Sequence, residues 1–350
     1  RLLFVVIEIN VDITVAMEEE KFSITLDRLS FTYKPGEVIN GNIKYNFDES
    51  EKVMSIYIVL KGEAWSDRHH KESTSASGIC LIQSSNTEEY IHTTLYLLGT
   101  GNTDDTEIIL TGIHDFPFTF TLPLSIPASY IGHFGSVEYT LNVVIKRPLI
   151  TSEVHRFFLK IFVPFNFTGT IYRQPINLEI VGIRALFCVV YRSFKLAVSI
   201  PKSYFYIGQS IPIHIHCTNN TKVGVVKLKI LLVQKEIYYT GREPLLWRTK
   251  IAEVETGPIN AESTRDWKEY VTLPPVTTAN LDRCSIMKLV YELKIICRLP
   301  ILYFNSGVRS QIYVGNNLKH NALYSKLKVN HKIIKIYTFS DRNLKKNGTL

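Results

Sequence analysis

The sequence lacks the common motifs of nucleotide-binding and hydrolytic sites. It contains no Walker loop, no G-x-G-x-x-G, no H-E-x-x-H and no G-x-S-x-G, and Gly99 and Gly101 are followed by no third glycine. Those motifs place phosphate-binding N–H groups, metal ligands or a nucleophile where the chemistry needs them. Their absence favours a protein that is not an enzyme, and we expect no catalytic residues, no cofactor and no bound metal.

Cysteine is scarce as well. The five cysteines among 350 residues are odd in number, widely spaced and form no C-x-x-C pair. This pattern favours reduced thiols in a cytosolic protein over a disulfide framework. A chain of this length buries roughly 75% of its unfolded surface, so it does not need disulfide bonds to stabilise its fold.

The start of the chain has no apolar run long enough to span a membrane. Leu2 to Ile9 is apolar over only about eight residues, and no convincing signal-peptide cleavage region follows. The chain does not begin with Met, whereas Met17 shortly precedes the first alternating segment at Phe22. We therefore expect residues 1–16 to be a leader or a gene-model extension.

Two histidine pairs and one acidic cluster are incomplete as metal sites. His214 and His216 would share one face of a strand, but no third ligand is identifiable, and the opposite face is apolar. His69 and His70 lie in a polar segment, and the Asp104–Asp105–Glu107 cluster lacks the alternating ligands and the central Gly of calcium loops. We predict that His214 and His216 simply point outward and that the acidic cluster is a solvated turn.

Acidic residues are rare at the end of the chain. Residues 316–350 contain eight Lys or Arg against the single acid Asp341, and they supply most of the net charge of +8. The body is therefore nearly neutral, which argues against a nucleic-acid-binding domain. Because apolar residues interleave with the lysines, the tail is a candidate for contact with an anionic membrane or a partner; a disordered solubilising tail is the alternative. The candidate contact residues are Lys326, Lys328, Lys332 and Lys335.

What the sequence has in abundance is short alternating runs of Val, Ile, Thr, Tyr and Phe between Pro and Gly, which predicts an all-β chain. In residues 112–139 the alternation predicts one strand with an apolar face (Phe116, Phe118, Phe120, Leu122), then a long turn, then a second strand whose inward residues begin at Val137. Pro117 has no N–H to donate, which predicts an edge strand or an irregularity.

Other segments are assigned in the same way. Residues 53–60 form a nearly continuous apolar run, which predicts a central strand covered on both faces. Residues 66–87 are polar and predict a long loop around a short strand at 79–82. Residues 89–98 are ambiguous between strand and helix, and residues 164–175 are the best linker candidate because Pro, Asn and Gly recur without a lasting period.

The second half of the chain repeats the spacing of the first. Gly36 and Gly208 each stand 24 residues before a leucine, Leu60 or Leu232. The Leu-Pro pair at 122–123 matches the pair at 273–274, and Tyr139 matches Tyr291. Two homologous halves of short strands predict two β-sandwiches in tandem.

The order of these residues resembles the arrestin-domain-containing proteins, or α-arrestins. The resemblance spans residues 22–315 and is densest at Gly112-x-His114-x-Phe116-Pro117-Phe118-x-Phe120-x-Leu122-Pro123, Pro127-x-Ser129-Tyr130 and Gly135-x-Val137-x-Tyr139. It implies two arrestin-type, immunoglobulin-like β-sandwich domains joined by a short linker. The expected division is a leader (1–16), an N-terminal sandwich (17–165), a linker (166–180), a C-terminal sandwich (181–315) and a basic tail (316–350).

The resemblance also implies a function. α-Arrestins are non-catalytic adaptors that bind cytosolic parts of membrane receptors or transporters and direct their endocytosis, sorting or ubiquitination. Many recruit ubiquitin ligases through Pro-Pro-x-Tyr motifs, but here Pro274-Pro275 is followed by Val-Thr, so ligase docking by that route is in doubt. We expect a cytoplasmic adaptor, peripheral at the plasma membrane or endosomes; the alternative is a constitutively assembled, retromer-like coat subunit of the same fold.

Overall fold

The computed structural model describes residues 15–18, 21–28, 30–74, 78–100, 107–186, 190–241, 243–276 and 278–316. Within these residues the chain is almost entirely β, with one short helix, α1 (Thr170–Arg173), between two groups of strands. The predicted all-β class is therefore confirmed, and so is the tandem arrangement of two sandwiches.

The N-terminal sandwich is built from two facing sheets. One has the strand order β1-β2-β4-β7, and the other has the order β3-β10-β9-β5-β6, with β8 added beside β9. Its strands are β1 (Val15–Glu18), β2 (Phe22–Leu26), β3 (Thr32–Tyr33), β4 (Val38–Val53), β5 (Ser55–Thr74), β6 (Gly78–Leu98), β7 (Ile108–Thr121), β8 (Tyr130–Ile131), β9 (Gly135–Lys146) and β10 (Glu153–Ile161).

The C-terminal sandwich repeats this plan except for β8, which has no counterpart among its described strands. Its sheets have the orders β11-β12-β14-β17 and β13-β19-β18-β15-β16. In both sandwiches a very short strand pairs parallel to the strand beside it, whereas the other pairings are antiparallel. The strands are β11 (Ile176–Arg184), β12 (Val190–Ile200), β13 (Tyr204–Tyr206), β14 (Ser210–Asn219), β15 (Lys227–Tyr238), β16 (Leu245–Thr256), β17 (Ser263–Thr272), β18 (Met287–Arg298) and β19 (Ser306–Gly315).

The strand register confirms the repeat that the spacing predicted. Leu60 lies opposite Leu141, just as Leu232 lies opposite Leu293. Tyr139 lies opposite Gly62, and its counterpart Tyr291 lies opposite Gln234. These pairs allow each position of one sandwich to be compared with its equivalent in the other.

Alternate side chains of β9 point into the core of the N-terminal sandwich, as the alternation predicted. Val137, Tyr139, Leu141, Val143 and Ile145 are all buried. The phenolic hydroxyl of Tyr139 donates a hydrogen bond of 2.8 Å to the carbonyl oxygen of Pro127, which satisfies the one polar atom of this buried ring. The long turn that follows β7 is thereby tied to the core.

Pro117 lies in an edge strand, as predicted. It belongs to β7, which pairs with β4 on one side and ends its sheet on the other. Phe118, Phe120 and Leu122 are buried and Phe116 is partly buried, whereas Pro117, Thr119 and Thr121 are exposed.

The structure corrects one other prediction and refines two. Residues 66–87 are not a loop, because β5 and β6 form a long antiparallel hairpin whose pairing continues to Thr74 and Gly78. Backbone hydrogen bonds along a ladder are indifferent to polar side chains, so composition misled the assignment. Residues 89–98 are strand. Residues 53–60 are divided at Met54 between β4 and β5, although β5 is central as predicted.

Strand pairing also begins before Phe22. The four residues of β1 pair with β2, with Val15 opposite Leu26. Residues 15 and 16 of the predicted leader therefore belong to a strand, and residues 1–14 lie outside the described part of the chain. Four residues are too few to show an alternation, which explains why the pattern missed them.

The linker region packs on the C-terminal sandwich through aromatic rings. Phe167 contacts Tyr172 of α1 and Tyr204 of β13, each with ring centroids 5.2 Å apart. Tyr172 in turn meets Tyr313 of β19 edge-to-face at 4.8 Å. The predicted linker, residues 166–180, thus includes a short helix and the start of β11.

Three cysteines, Cys217, Cys284 and Cys297, are free and buried. Burial raises the pKa of the Cys217 thiol to about 11 and that of the Cys297 thiol to about 12. These thiols are protonated at neutral pH and behave as small apolar side chains.

Candidate docking edge and interdomain seam

The strand β10 has an open edge. It pairs with β9 along residues 153–159 on one side, whereas on the other side β3 covers only Lys160 and Ile161 among the described residues. We call residues 153–160 the β10 edge, of which residues 153–159 have no strand partner on this side in the described part of the chain. A strand with unpaired N–H and C=O groups can accept a further strand from another chain.

The outer face of the β10 edge is apolar and basic. The side chains of Val154 and Phe158 are 49% and 51% exposed. Arg156 and Lys160 alternate with them and are also exposed. Arg156 is held in place by a 3.0 Å hydrogen bond from its Nε to Oδ1 of Asn142.

The equivalent strand of the C-terminal sandwich carries different residues. Leu159 lies opposite Tyr139 and Ile312 lies opposite Tyr291, so Phe158 corresponds to Gln311 and Val154 to Gly307. Only the N-terminal sandwich therefore has an apolar face at this edge. An extended segment with apolar and acidic side chains fits its chemistry.

The two sandwiches meet at a seam in which a buried carboxylate holds a turn. Glu236 of β15 accepts hydrogen bonds from the backbone N–H of His133 at 2.9 Å and from its Nδ1 at 3.0 Å. The hydroxyl of Tyr238 donates to the same carboxylate. Burial opposes ionisation of Glu236, but these donors outweigh it and hold the pKa of the carboxyl below its usual value.

We call the Glu236 carboxylate and the donors that it holds a carboxylate clamp, and aromatic rings surround it. The imidazole of His133 lies 4.4 Å from the ring of Trp247, and Phe134 meets Tyr238 edge-to-face at 5.7 Å. The turn at residues 131–135 is thus fixed to β15 and β16 by both polar and apolar contacts.

A second, reciprocal clamp lies on the other side of the seam. Glu88 of β6 accepts hydrogen bonds from the backbone N–H of Ser285 at 2.8 Å and from its hydroxyl at 2.9 Å. Each sandwich therefore contributes one carboxylate that holds one backbone N–H and one side chain of the other.

A cavity of about 380 Å³ opens between the linker and the C-terminal sandwich. Phe165, Phe167 and Tyr172 line it from the linker side, and Asp282 and Lys288 line it from the other side. Because these two charged residues are opposite in sign, the cavity favours no particular ligand charge.

The histidine pair of β14 points outward, as predicted. His214 and His216 are exposed, whereas Ile213, Ile215 and Cys217 are buried. Nδ1 of His216 lies 3.4 Å from Asp266. No group of three or more His, Cys, Asp or Glu side chains in the described ranges could hold a metal ion.

Several predicted features lie outside the described residues. They are Lys326, Lys328, Lys332 and Lys335 of the tail, Asp104 and Asp105 of the acidic turn, and the side chains of His69 and His70. Glu107 is described and pairs with Lys52 at 2.7 Å. Among the described residues, none of the helical structure is long or apolar enough to cross a bilayer.

The β10 edge was missed by the sequence reading, although its signal was present. In residues 155–163 the inward positions are His155, Phe157, Leu159, Ile161 and Val163, an alternation typical of a strand. Val154 and Phe158 occupy the outward positions, where an exposed strand face is normally polar. Large apolar side chains on both phases of an alternating strand would have indicated a contact surface.

Comparison with known proteins agrees with the fold. The family models described as arrestin (or S-antigen), N-terminal domain and C-terminal domain match residues 22–166 and 192–318. Arrestin domain-containing protein 4 of Mus musculus is 25% identical over 77% of this chain and 65% of its own length. Arrestin domain-containing protein 1 of Homo sapiens is 24% identical over 84% of this chain and 64% of its own length.

Two arrestin sandwiches in this order define a class of protein, and the chain belongs to it: it is an arrestin-domain-containing, α-arrestin-like protein. The chain spans slightly less than two thirds of the length of those two curated relatives.

Proposed function

We propose that the protein is a non-catalytic adaptor that binds cytosolic segments of membrane receptors or transporters and directs their trafficking. The observation that carries the proposal is the β10 edge, an open strand with an apolar and basic outer face on an arrestin-type sandwich. An extended cargo segment adds to β10 as a strand, and its alternate side chains contact Val154 and Phe158.

The charge of this surface also supports cytosolic cargo tails. Arg156 and Lys160 favour acidic or phosphorylated segments, because charge-assisted hydrogen bonds to anionic oxygens are stronger than neutral ones. The adaptor acts at the cytoplasmic face of the plasma membrane or endosomes, and the basic tail adds contact with anionic lipids. A ubiquitin ligase is a further candidate partner, although the given sequence contains no Pro-Pro-x-Tyr motif.

Co-purification from native cells tests the proposal. The tagged chain is compared with the double variant Val154→Asp/Phe158→Asp, and both captures are scored for membrane proteins and ubiquitin ligases. The proposal predicts that membrane cargo is captured by the unchanged chain and is lost from the variant. The matched control is Gln311→Asp, which places a negative charge at the C-terminal equivalent of Phe158 and should retain cargo. Gly307 is left unchanged, because a Cβ there would lie 3.0 Å from the carbonyl oxygen of Ile295.

The same experiment distinguishes the alternative class. A stable complex with coat subunits, unchanged by the β10 substitutions and without membrane cargo, would identify a constitutively assembled coat component and contradict the adaptor. Circular dichroism of each variant confirms that the substitutions leave the fold intact.

A further inference from the structure

The loop at residues 278–286 belongs to the C-terminal sandwich but packs into the N-terminal one. Leu281, Cys284 and Ile286 are buried within the core cluster of the N-terminal sandwich. The carbonyl oxygen of Asn280 accepts a 3.0 Å hydrogen bond from the N–H of Ala128. This loop therefore fastens the two sandwiches together.

Ser285 is the exposed residue of this loop that holds the N-terminal sandwich. Both its backbone N–H and its hydroxyl donate to Oε2 of Glu88, at 2.8 and 2.9 Å. The residues on either side, Cys284 and Ile286, are buried, whereas Ser285 is exposed. The contact between Ser285 and Glu88 is therefore accessible to solvent. Any change of charge at this hydroxyl acts directly on the clamp.

We propose that Ser285 is a phosphorylation site and that its phosphorylation releases the loop at residues 278–286 from the N-terminal sandwich. The donor is ATP bound to a protein kinase. The Oγ of Ser285 forms a bond to the γ-phosphorus while the bond from that phosphorus to the β–γ bridging oxygen breaks. The hydroxyl proton passes to the base of the kinase, and ADP leaves.

The clamp cannot tolerate a phosphate. Phosphorylation removes the hydroxyl donor and places a charge of about −1.5 to −2 beside the Glu88 carboxylate. Like charges this close repel, and the repulsion adds to the loss of the hydrogen bond.

The surroundings of Ser285 also fit a kinase that selects basic substrates. Arg283 precedes it, and Lys288 follows it by three residues. The ammonium group of Lys288 lies 5.5 Å from the ring centroid of Tyr239. Charge patterns around the acceptor residue are a common basis of kinase specificity.

Hydrogen exchange measured on the whole chain tests the proposal without reference to any cargo. Ser285→Glu should speed exchange in residues 278–286 and 86–90 by about tenfold, since exchange reports local opening. Ser285→Ala removes only one neutral donor, so its effect should be much smaller. Trypsin cleavage after Arg283 gives an independent measure of the same opening.

A charge reversal provides the decisive control. Adding Glu88→Lys to Ser285→Glu turns repulsion into attraction and should restore slow exchange. Equal exchange in the Ser285→Glu and Ser285→Ala variants, or failure of Glu88→Lys to rescue, would overturn the proposed mechanism. Peptide mass spectrometry of the native protein should find phosphate on Ser285, and its absence from cells under all growth conditions would overturn the site.

Discussion

The two sandwiches share one topology but differ where they face solvent and each other. At the strand that follows β9 or β18, the N-terminal sandwich exposes Val154 and Phe158, whereas the C-terminal one has Gly307 and Gln311. At the seam, the C-terminal sandwich has Glu236 where the register places Ala64 in the N-terminal one. The duplicated scaffold thus exposes an apolar strand face in one copy only, and the two copies place their seam carboxylates, Glu88 and Glu236, at different positions.

A third difference lies at the distal end of each sandwich. Arg147 bonds Glu51 and Glu153 at 2.9 and 2.8 Å, and Glu153 also contacts His155 at 2.7 Å. The equivalent of Arg147 in the C-terminal sandwich is the buried Leu299. At this end the C-terminal sandwich has its ion pairs on the β15–β16 hairpin, where Lys227 and Lys229 pair with Glu253 and Glu255. Each copy therefore closes this end with an ionic network, but on different strands.

The largest effect is expected at Gly62, where the two sandwiches pack a tyrosine differently. A Cβ at this position would lie 2.4 Å from the ring of Tyr139, whereas the equivalent Gln234 already carries a side chain opposite Tyr291. Gly62→Ala should destabilise the N-terminal sandwich by about 2–3 kcal/mol through overpacking. Hydrogen exchange measured separately for β5–β9 and β14–β18 reports the loss.

The matched change is Gln234→Ala, which removes atoms from a half-buried position and should cost less than about 1 kcal/mol. If Gly62→Ala and Gln234→Ala changed the free energy of unfolding equally, the close contact between the Tyr139 ring and Gly62 would be contradicted.

The next largest effect is expected at the seam. Glu236→Ala leaves the N–H of His133 and the hydroxyl of Tyr238 without their acceptor, at a cost of about 2 kcal/mol. Exchange should accelerate in residues 131–135 and 236–239 but not in the centres of the two cores. Glu236→Gln keeps an acceptor oxygen, so its exchange rates should lie between those of the unchanged protein and those of Glu236→Ala. If Glu236→Ala instead exchanged faster throughout both sandwiches, the carboxylate would stabilise the whole fold and not the seam alone.

The smallest effect is expected at Glu153 and depends on pH. Hydrogen bonding to His155 and Arg147 outweighs burial and lowers the pKa of Glu153 to about 2. A carboxyl whose pKa is depressed in the folded state stabilises the protein above its unfolded pKa, and this stabilisation is lost as pH falls toward the folded value. Glu153→Gln should therefore cost about 1 kcal/mol at pH 7 and progressively less between about pH 5 and pH 2.

Urea unfolding at several pH values, followed by exchange in β9 and β10, checks this prediction. A deficit of the same size at pH 7 and pH 2.5 would show that Glu153 contributes through packing and not through its charge.

Much of this fold could be predicted because it depends on local alternation and spacing. Tyr139 and Tyr291, with their neighbouring leucines, identified both cores and the repeat. The full extent of the hairpin at residues 66–87 could not be predicted, since most of its residues are polar and only the apolar run at 79–82 indicated a strand. The carboxylate clamps could not be predicted either. Glu236 and His133 are 103 residues apart, and only the packing of the two sandwiches brings them together.

The most direct test of the account is photo-cross-linking in native cells from a reactive amino acid placed at Phe158 or at the equivalent Gln311. Cross-linked partners are identified by mass spectrometry. If the β10 edge is the docking strand, position 158 should capture cytosolic segments of membrane proteins and position 311 should not. Equal capture at both positions, or capture at position 311 alone, would contradict the assignment of the β10 edge as the docking strand.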